Sequence, residues 1–103
     1  DLKQDPGGII DVEFIVQYLI LAHAHTYPDL TENLGNIALL KRAAHHGLID
    51  QALSEAAQEA YRNYRCLQHA NRLNDDPKAR LDITPELQTH IDTVLRLKQA
   101  VFG

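Results

Sequence analysis

The sequence predicts an all-α domain, an antiparallel bundle of about four helices. Apolar residues recur at helical spacing in four separate stretches, and no stretch alternates apolar and polar as a half-buried strand would. Breakers separate the four stretches: Tyr27-Pro28, Gly47, and Asn74-Asp75-Asp76-Pro77. The connections they leave are short, which suits antiparallel neighbours. Size and composition agree. With 45% of its 103 residues apolar and 23% charged, the chain is expected to form one globular domain over residues 1–103 around a modest core.

The first helix is expected from about Gly8 to His25. It holds the longest apolar run, Ile9 to Ala22, broken only by Asp11, Glu13 and Gln17, so burial on most sides is predicted. Pro6-Gly7-Gly8 reads as the turn before it. The second helix, about Glu32 to His46, sets Leu34, Ile37, Leu40 and Ala44 at helical spacing. Thr31 or Asn33 would cap it, and Gly47 suits the left-handed residue past its end. The third, Asp50 to about Leu73, carries Leu53, Ala57, Ala60, Tyr61, Tyr64 and Leu67 as its apolar stripe. A connector over residues 78–83 follows. Thr84-Pro85-Glu86 then starts a fourth helix, with a Thr cap, Pro at the first position and an acid in the first turn. It runs to about Phe102, with Leu87, Ile91, Val94, Leu95 and Val101 inward.

Several function classes are excluded on composition. A net charge of −4 is a poor footprint for nucleic acid. The basic surplus between Arg62 and Arg80 reads as a solvated helix face. The apolar run of the first helix is shorter than the roughly 18–20 residues of a membrane span, and it contains two carboxylates. A single cysteine leaves no intrachain disulfide and no Cys-rich zinc site, and Cys66 is expected to be an inert buried thiol. None of the six histidines is spaced four residues from another, so no metal site is predicted. The chain contains no Met, so it is expected to be a processed protein or a piece of a longer one.

Three polar features remain. Gly7-Gly8 ahead of a helix could present free N–H groups to an anion, although a tight turn is the simpler reading. Asp11-Val12-Glu13 has the spacing of a metal-binding acidic pair on a strand. On a helix, however, positions two apart diverge by about 200°, so the two carboxylates serve different faces. Asp11 is expected to tune the first turn. Glu13, in so apolar a segment, is expected to take a buried basic partner, with Lys3 and Arg65 as candidates. Finally, Tyr61, Arg65, His69 and Arg72 fall on one face of the third helix, suited to a phosphate or to a carboxylate on a neighbouring helix.

Asp1-Leu2-Lys3, Gly7-Gly8-Ile9, Asp11-Val12-Glu13-Phe14-Ile15 and Gln17-Tyr18-Leu19 together resemble the start of a helical domain in the glutamine-synthetase adenylyltransferase family. Further similarity runs in the same order through Pro28-x-Leu30, Asn36-Ile37, Gly47-Leu48-Ile49, Tyr61, Arg65 and His69. It covers residues 1–73 well and the rest only as one more helix. Ile10 stands where that family often has Arg. The resemblance implies an accessory domain that directly follows a nucleotidyltransferase domain, in the second half of a bifunctional adenylyl-transferring and adenylyl-removing enzyme of nitrogen regulation. The family's Gly-Ser and Asp-x-Asp strand motifs are not in this sequence. The domain is therefore expected to be non-catalytic, with ATP and Mg²⁺ belonging to the intact enzyme. The implied partners are the nucleotidyltransferase domain, glutamine synthetase and the PII signalling protein, and the implied location is the cytoplasm. Lys3, Gly7, Gly8 and Asp11 would lie near the nucleotide cleft, with Lys3 as a point charge for phosphate. Glu13, Arg65 and His69 would be partner-binding or structural polar groups. Two competing readings are a stand-alone helical interaction module and a HEPN-type ribonuclease. In the latter, Arg62 or Arg65 with His69 would imitate the catalytic pair.

Overall fold

The computed structural model describes residues 6–32, 34–73 and 84–103. Helix α1 (Ile9–His23) is followed by a short 3-10 helix (Pro28–Thr31), then α2 (Asn36–His45), α3 (Gln51–Leu73) and α4 (Pro85–Phe102). No strand occurs among the described residues, so the fold is an all-α bundle of four helices. Lys3, the proposed cap Asn33, the connector 78–83 and the side chain of Arg72 lie outside the described residues.

The helix ends follow local chemistry. Asp50 accepts from the Leu53 N–H at 3.0 Å, which places it before the first turn of α3 as a cap. Thr84 does the same for α4, accepting from Leu87 N–H at 3.1 Å, with Pro85 at the first helical position. Gly47, at φ +77°, ends α2. Its N–H donates to Ala44 and that of Leu48 donates to Ala43, the paired bonds of a left-handed C-terminal cap. The start of α2 differs from expectation. Pro28 sets off the 3-10 turn instead, the Thr31 hydroxyl turns back to the Pro28 carbonyl at 2.6 Å, and α2 begins only after Gly35.

Helix α3 packs against both α2 and α4, and α1 touches all three. Val12, Ile15, Leu40, Tyr64, Val94 and Leu97 are fully buried where these helices meet. Each such apolar side chain contributes about 1.5–3 kcal/mol of burial. Ser54 and Gln58 are buried with them and satisfied. Ser54 donates to the Leu40 carbonyl at 2.8 Å, and Gln58 donates to Ser54 at 3.1 Å. Asn36 meets Tyr61 while Leu40 meets Ser54, so α2 and α3 are antiparallel. Along α1 and α4 the order is the other way: Gly7 meets Ile91, Asp11 meets Lys98, and Tyr18 meets Phe102. These two helices run in the same direction. The connection after α1 permits this, because its 3-10 turn packs against α2 as the chain returns.

Three expectations of burial are corrected. Only one face of α1 is covered, through Ile9, Val12, Ile15, Val16 and Leu19; Ile10, Phe14, Tyr18 and Leu21 are exposed. The helix lies on one side of the bundle, and its outer face is met only at Phe14 and Tyr18, by Phe102, among the described residues. Leu95 is likewise exposed, since it falls beside the buried pair Val94 and Leu97. Cys66 is exposed because it sits about 200° around α3 from buried Tyr64.

The returning strap is held to α2 by polar contacts. His46 Nε2 lies 2.8 Å from Asp29 Oδ1, and the Tyr27 ring stacks on the His46 ring at 4.1 Å. Arg42 donates to the Asp29 carbonyl at 2.7 Å and lies 3.1 Å from the Glu32 carboxylate. The hydrogen bond from His46 holds the Asp29 carboxyl below its usual 3.8 against the opposing pull of desolvation, and the charges of His46 and Arg42 lower it further. A depressed carboxyl stabilises the fold above its unfolded value, and that contribution is lost as pH falls through the lower folded value. His46→Ala is therefore expected to raise the acid-unfolding midpoint, followed by circular dichroism. An unchanged midpoint would show that the clamp adds nothing to stability.

Candidate functional site

Of the residues singled out in the sequence, the structure brings Gly7, Gly8 and Asp11 together at the head of α1. Gly7 has φ +81°, a conformation that glycine adopts without strain. Its N–H donates to Asp11 Oδ2 at 2.8 Å, and its carbonyl accepts from the Tyr64 hydroxyl at 2.7 Å. A Cβ at Gly7 would lie 2.8 Å from Ile91 Cγ2 and 3.0 Å from the Ile91 carbonyl oxygen. Lys98 Nζ stands 3.6 Å from Asp11 Oδ2. Four elements thus converge on one glycine: the incoming chain, α1 through Asp11, α3 through Tyr64, and α4 through Ile91 and Lys98.

The electrostatics follow from this burial. Tyr64 is fully buried, and desolvation, aided by the Asp92 charge, pushes its phenol from 10.0 up to about 12. It stays neutral and able to donate across the whole physiological range. The Gly7 N–H, a donor an anion would need, is already committed to Asp11. Gly7 and Gly8 are both buried, so the Gly-Gly turn closes on the bundle rather than opening to solvent.

The remaining candidates lie elsewhere. Glu13 is exposed, which corrects the expectation of a buried ion pair: it falls on the outer face of α1 and keeps its hydration. Arg65 and His69 are exposed on α3, and Tyr61 of the same stripe turns inward to accept from Asn36 at 3.0 Å. Arg62 pairs with Glu59 at 2.9 Å. Among the described residues no group of three His, Cys, Asp or Glu is placed to hold a metal ion. Sequence reasoning missed Tyr64, Ile91 and Lys98 as parts of the joint. Tyr64 did carry a signal, because a phenol in an apolar stripe must find an acceptor once buried. Nothing in the spacing marks Lys98 or Ile91.

Tyr64→Phe leaves the Gly7 carbonyl without its partner and should cost about 1–3 kcal/mol in urea unfolding. A raised acid is neutral in the fold and ionises first in the unfolded chain, so its contribution fades as pH climbs from 10 toward 12. Tyr64→Phe should therefore flatten the alkaline loss of stability; an unaltered alkaline limb would discount the bond. Gly47 shares the positive φ but has open space where a Cβ would go. Gly7→Ala should thus cost more than Gly47→Ala, which isolates the close approach to Ile91 from backbone strain. Equal losses would show that the approach is not limiting.

The comparisons with known proteins bear on this geometry. A family model described as GlnD PII-uridylyltransferase matches residues 1–101. A Neisseria meningitidis serogroup A protein named bifunctional glutamine synthetase adenylyltransferase/adenylyl-removing enzyme is 52% identical over the whole chain, which spans 11% of its length. The protein of the same name from Chromobacterium violaceum is 63% identical over 80% of this chain and 9% of its own. That from Burkholderia mallei is 44% identical over the whole chain, again 11% of its length. The chain therefore spans about a tenth of the curated relatives it matches. No solved structure matches it significantly. With a family model covering residues 1–101 and relatives this similar throughout, the chain belongs to the GlnD PII-uridylyltransferase family, and its relatives are segments of bifunctional glutamine synthetase adenylyltransferase/adenylyl-removing enzymes.

Proposed function

We propose that the chain is a non-catalytic helical domain of a glutamine synthetase adenylyltransferase/adenylyl-removing enzyme, and that it supports ATP-dependent adenylylation of the synthetase. The observation that carries this is the relatives' 44–63% identity over this chain, under that one name. The family model takes its description from a uridylyltransferase, but the named relatives favour adenylyl transfer. In this reading the domain follows a nucleotidyltransferase domain and completes its cleft from one side. ATP and Mg²⁺ then belong to that preceding domain. The described residues here do not fit a Mg²⁺ site, because Asp11 is spent on Gly7 and Lys98.

Lys3, Gly7, Gly8 and Asp11 form the joint between the two domains. The glycines and Asp11 fix the path of the incoming chain, which leaves Lys3 as the member of the set with a charge to offer a phosphate. Glutamine synthetase and the PII signalling protein are the proposed protein partners, with exposed Arg65 and His69 on α3 available to them. The enzyme would act in the cytoplasm. No helix among the described residues is long and apolar enough to cross a membrane.

The test uses the intact parent enzyme and residues 1–103 side by side, each incubated with ATP, Mg²⁺ and glutamine synthetase. AMP should appear on the synthetase only with the intact enzyme, read by intact mass. Transfer by residues 1–103 alone would overturn the non-catalytic assignment. Absence of transfer by the intact enzyme would overturn the adenylylation reading altogether.

A further inference from the structure

We propose that the exposed apolar face of α1, closed at its far end by Phe102, is the seat for the part of the parent chain that precedes residue 1. The proposal rests on the reading of this chain as one domain of a larger enzyme, and it names the surface through which the two are joined.

Ile10, Phe14, Tyr18 and Leu21 recur at helical spacing along one side of α1. Phe14 is 61% and Leu21 is 77% exposed. Phe102 extends the stripe, with its ring 5.7 Å from that of Phe14 and 4.8 Å from that of Tyr18. The result is a continuous apolar surface with three aromatic rings. A helix face meant for water carries charge, whereas buried interface centres favour aromatic residues. Contiguous apolar patches on soluble domains mark contact surfaces.

The joint identifies the occupant. Gly7 is fixed by Tyr64, Asp11 and the backbone of Ile91, so the chain joins the bundle at a set point. That point is the head of the stripe, one helical turn or less from Ile10. The relatives carry this segment as about a tenth of a much longer chain. A neighbour tethered at the head of the face meets it at high effective concentration, an advantage that a second copy of the domain lacks.

The experiment is thiol protection in the intact parent enzyme. Phe14→Cys and Leu21→Cys are made separately, and labelling by a bulky maleimide is followed by peptide mass spectrometry, folded and in urea. Neither side chain is buried by its own domain, so slow labelling must come from a neighbour. The expected result is labelling at least about tenfold slower in the folded enzyme at both positions, unchanged on dilution. Labelling at either position near the rate in urea would show an open face and overturn the proposal. Protection that disappears on dilution, as the enzyme's mass falls to that of one chain, would assign the face to a second copy and overturn it equally. Adenylylation is assayed on the same samples. An active enzyme with unprotected thiols defeats this proposal alone, whereas an inactive unsubstituted parent defeats the reading beneath it.

Discussion

The hydrogen bond from Tyr64 to the Gly7 carbonyl is the constraint on which the rest of the architecture turns. It joins residues 57 apart in sequence and lies in the dry centre of the bundle. Because the Gly7 N–H is simultaneously taken by Asp11, both backbone polar groups of this one residue are satisfied away from water. That accounting lets a glycine turn be buried at all. Once buried, it lets α4 approach so closely that Ile91 sits where any side chain at position 7 would be. The position of the head of α1 and the Asp11–Lys98 contact follow from that seat.

Away from this joint the bundle uses local polar devices to reach the same end. Ser54 and Gln58 carry hydrogen bonds into the α2–α3 interface without leaving an unpaired group. The strap of residues 27–32 borrows Arg42 and His46 from the end of α2, so the return of the chain needs little apolar surface of its own. Leu30 is its one buried anchor among the described residues. The division is consistent with a small domain: apolar area is concentrated in the helices, and connections are tied down by charge and backbone acceptors.

Much of this was legible in the sequence, for local reasons. The Thr84-Pro85-Glu86 start, the Gly47 stop and the stripe of α3 depend on residues within a turn of one another, and the structure has them as expected. What was not legible depends on long-range packing. The apolar run of α1 satisfies a buried helix and a half-covered one equally, so sequence alone misplaced Glu13, Phe14 and Leu21. The parallel pairing of α1 with α4 is set by a returning strap whose polar clamp has no fixed spacing. For the site, Gly7-Gly8 stood out as a turn that could also offer N–H groups to an anion, and Asp11 as a group tuning the first helical turn. Their true partners, Tyr64, Ile91 and Lys98, come from two distant helices and share no motif with them.

The same long-range dependence bears on how the chain folds. Helices α2 and α3 meet through residues close in sequence, and such contacts form early. Helix α1 must wait, because the groups that fix its head are Tyr64, Ile91 and Lys98. On the ribosome, where the N-terminal part of a chain emerges first, that wait spans nearly the whole synthesis of the domain. Throughout it, α1 can meet only the strap and α2 within the domain, and its outer apolar side stays uncovered. Whatever shelters it in that interval must already have left the ribosome.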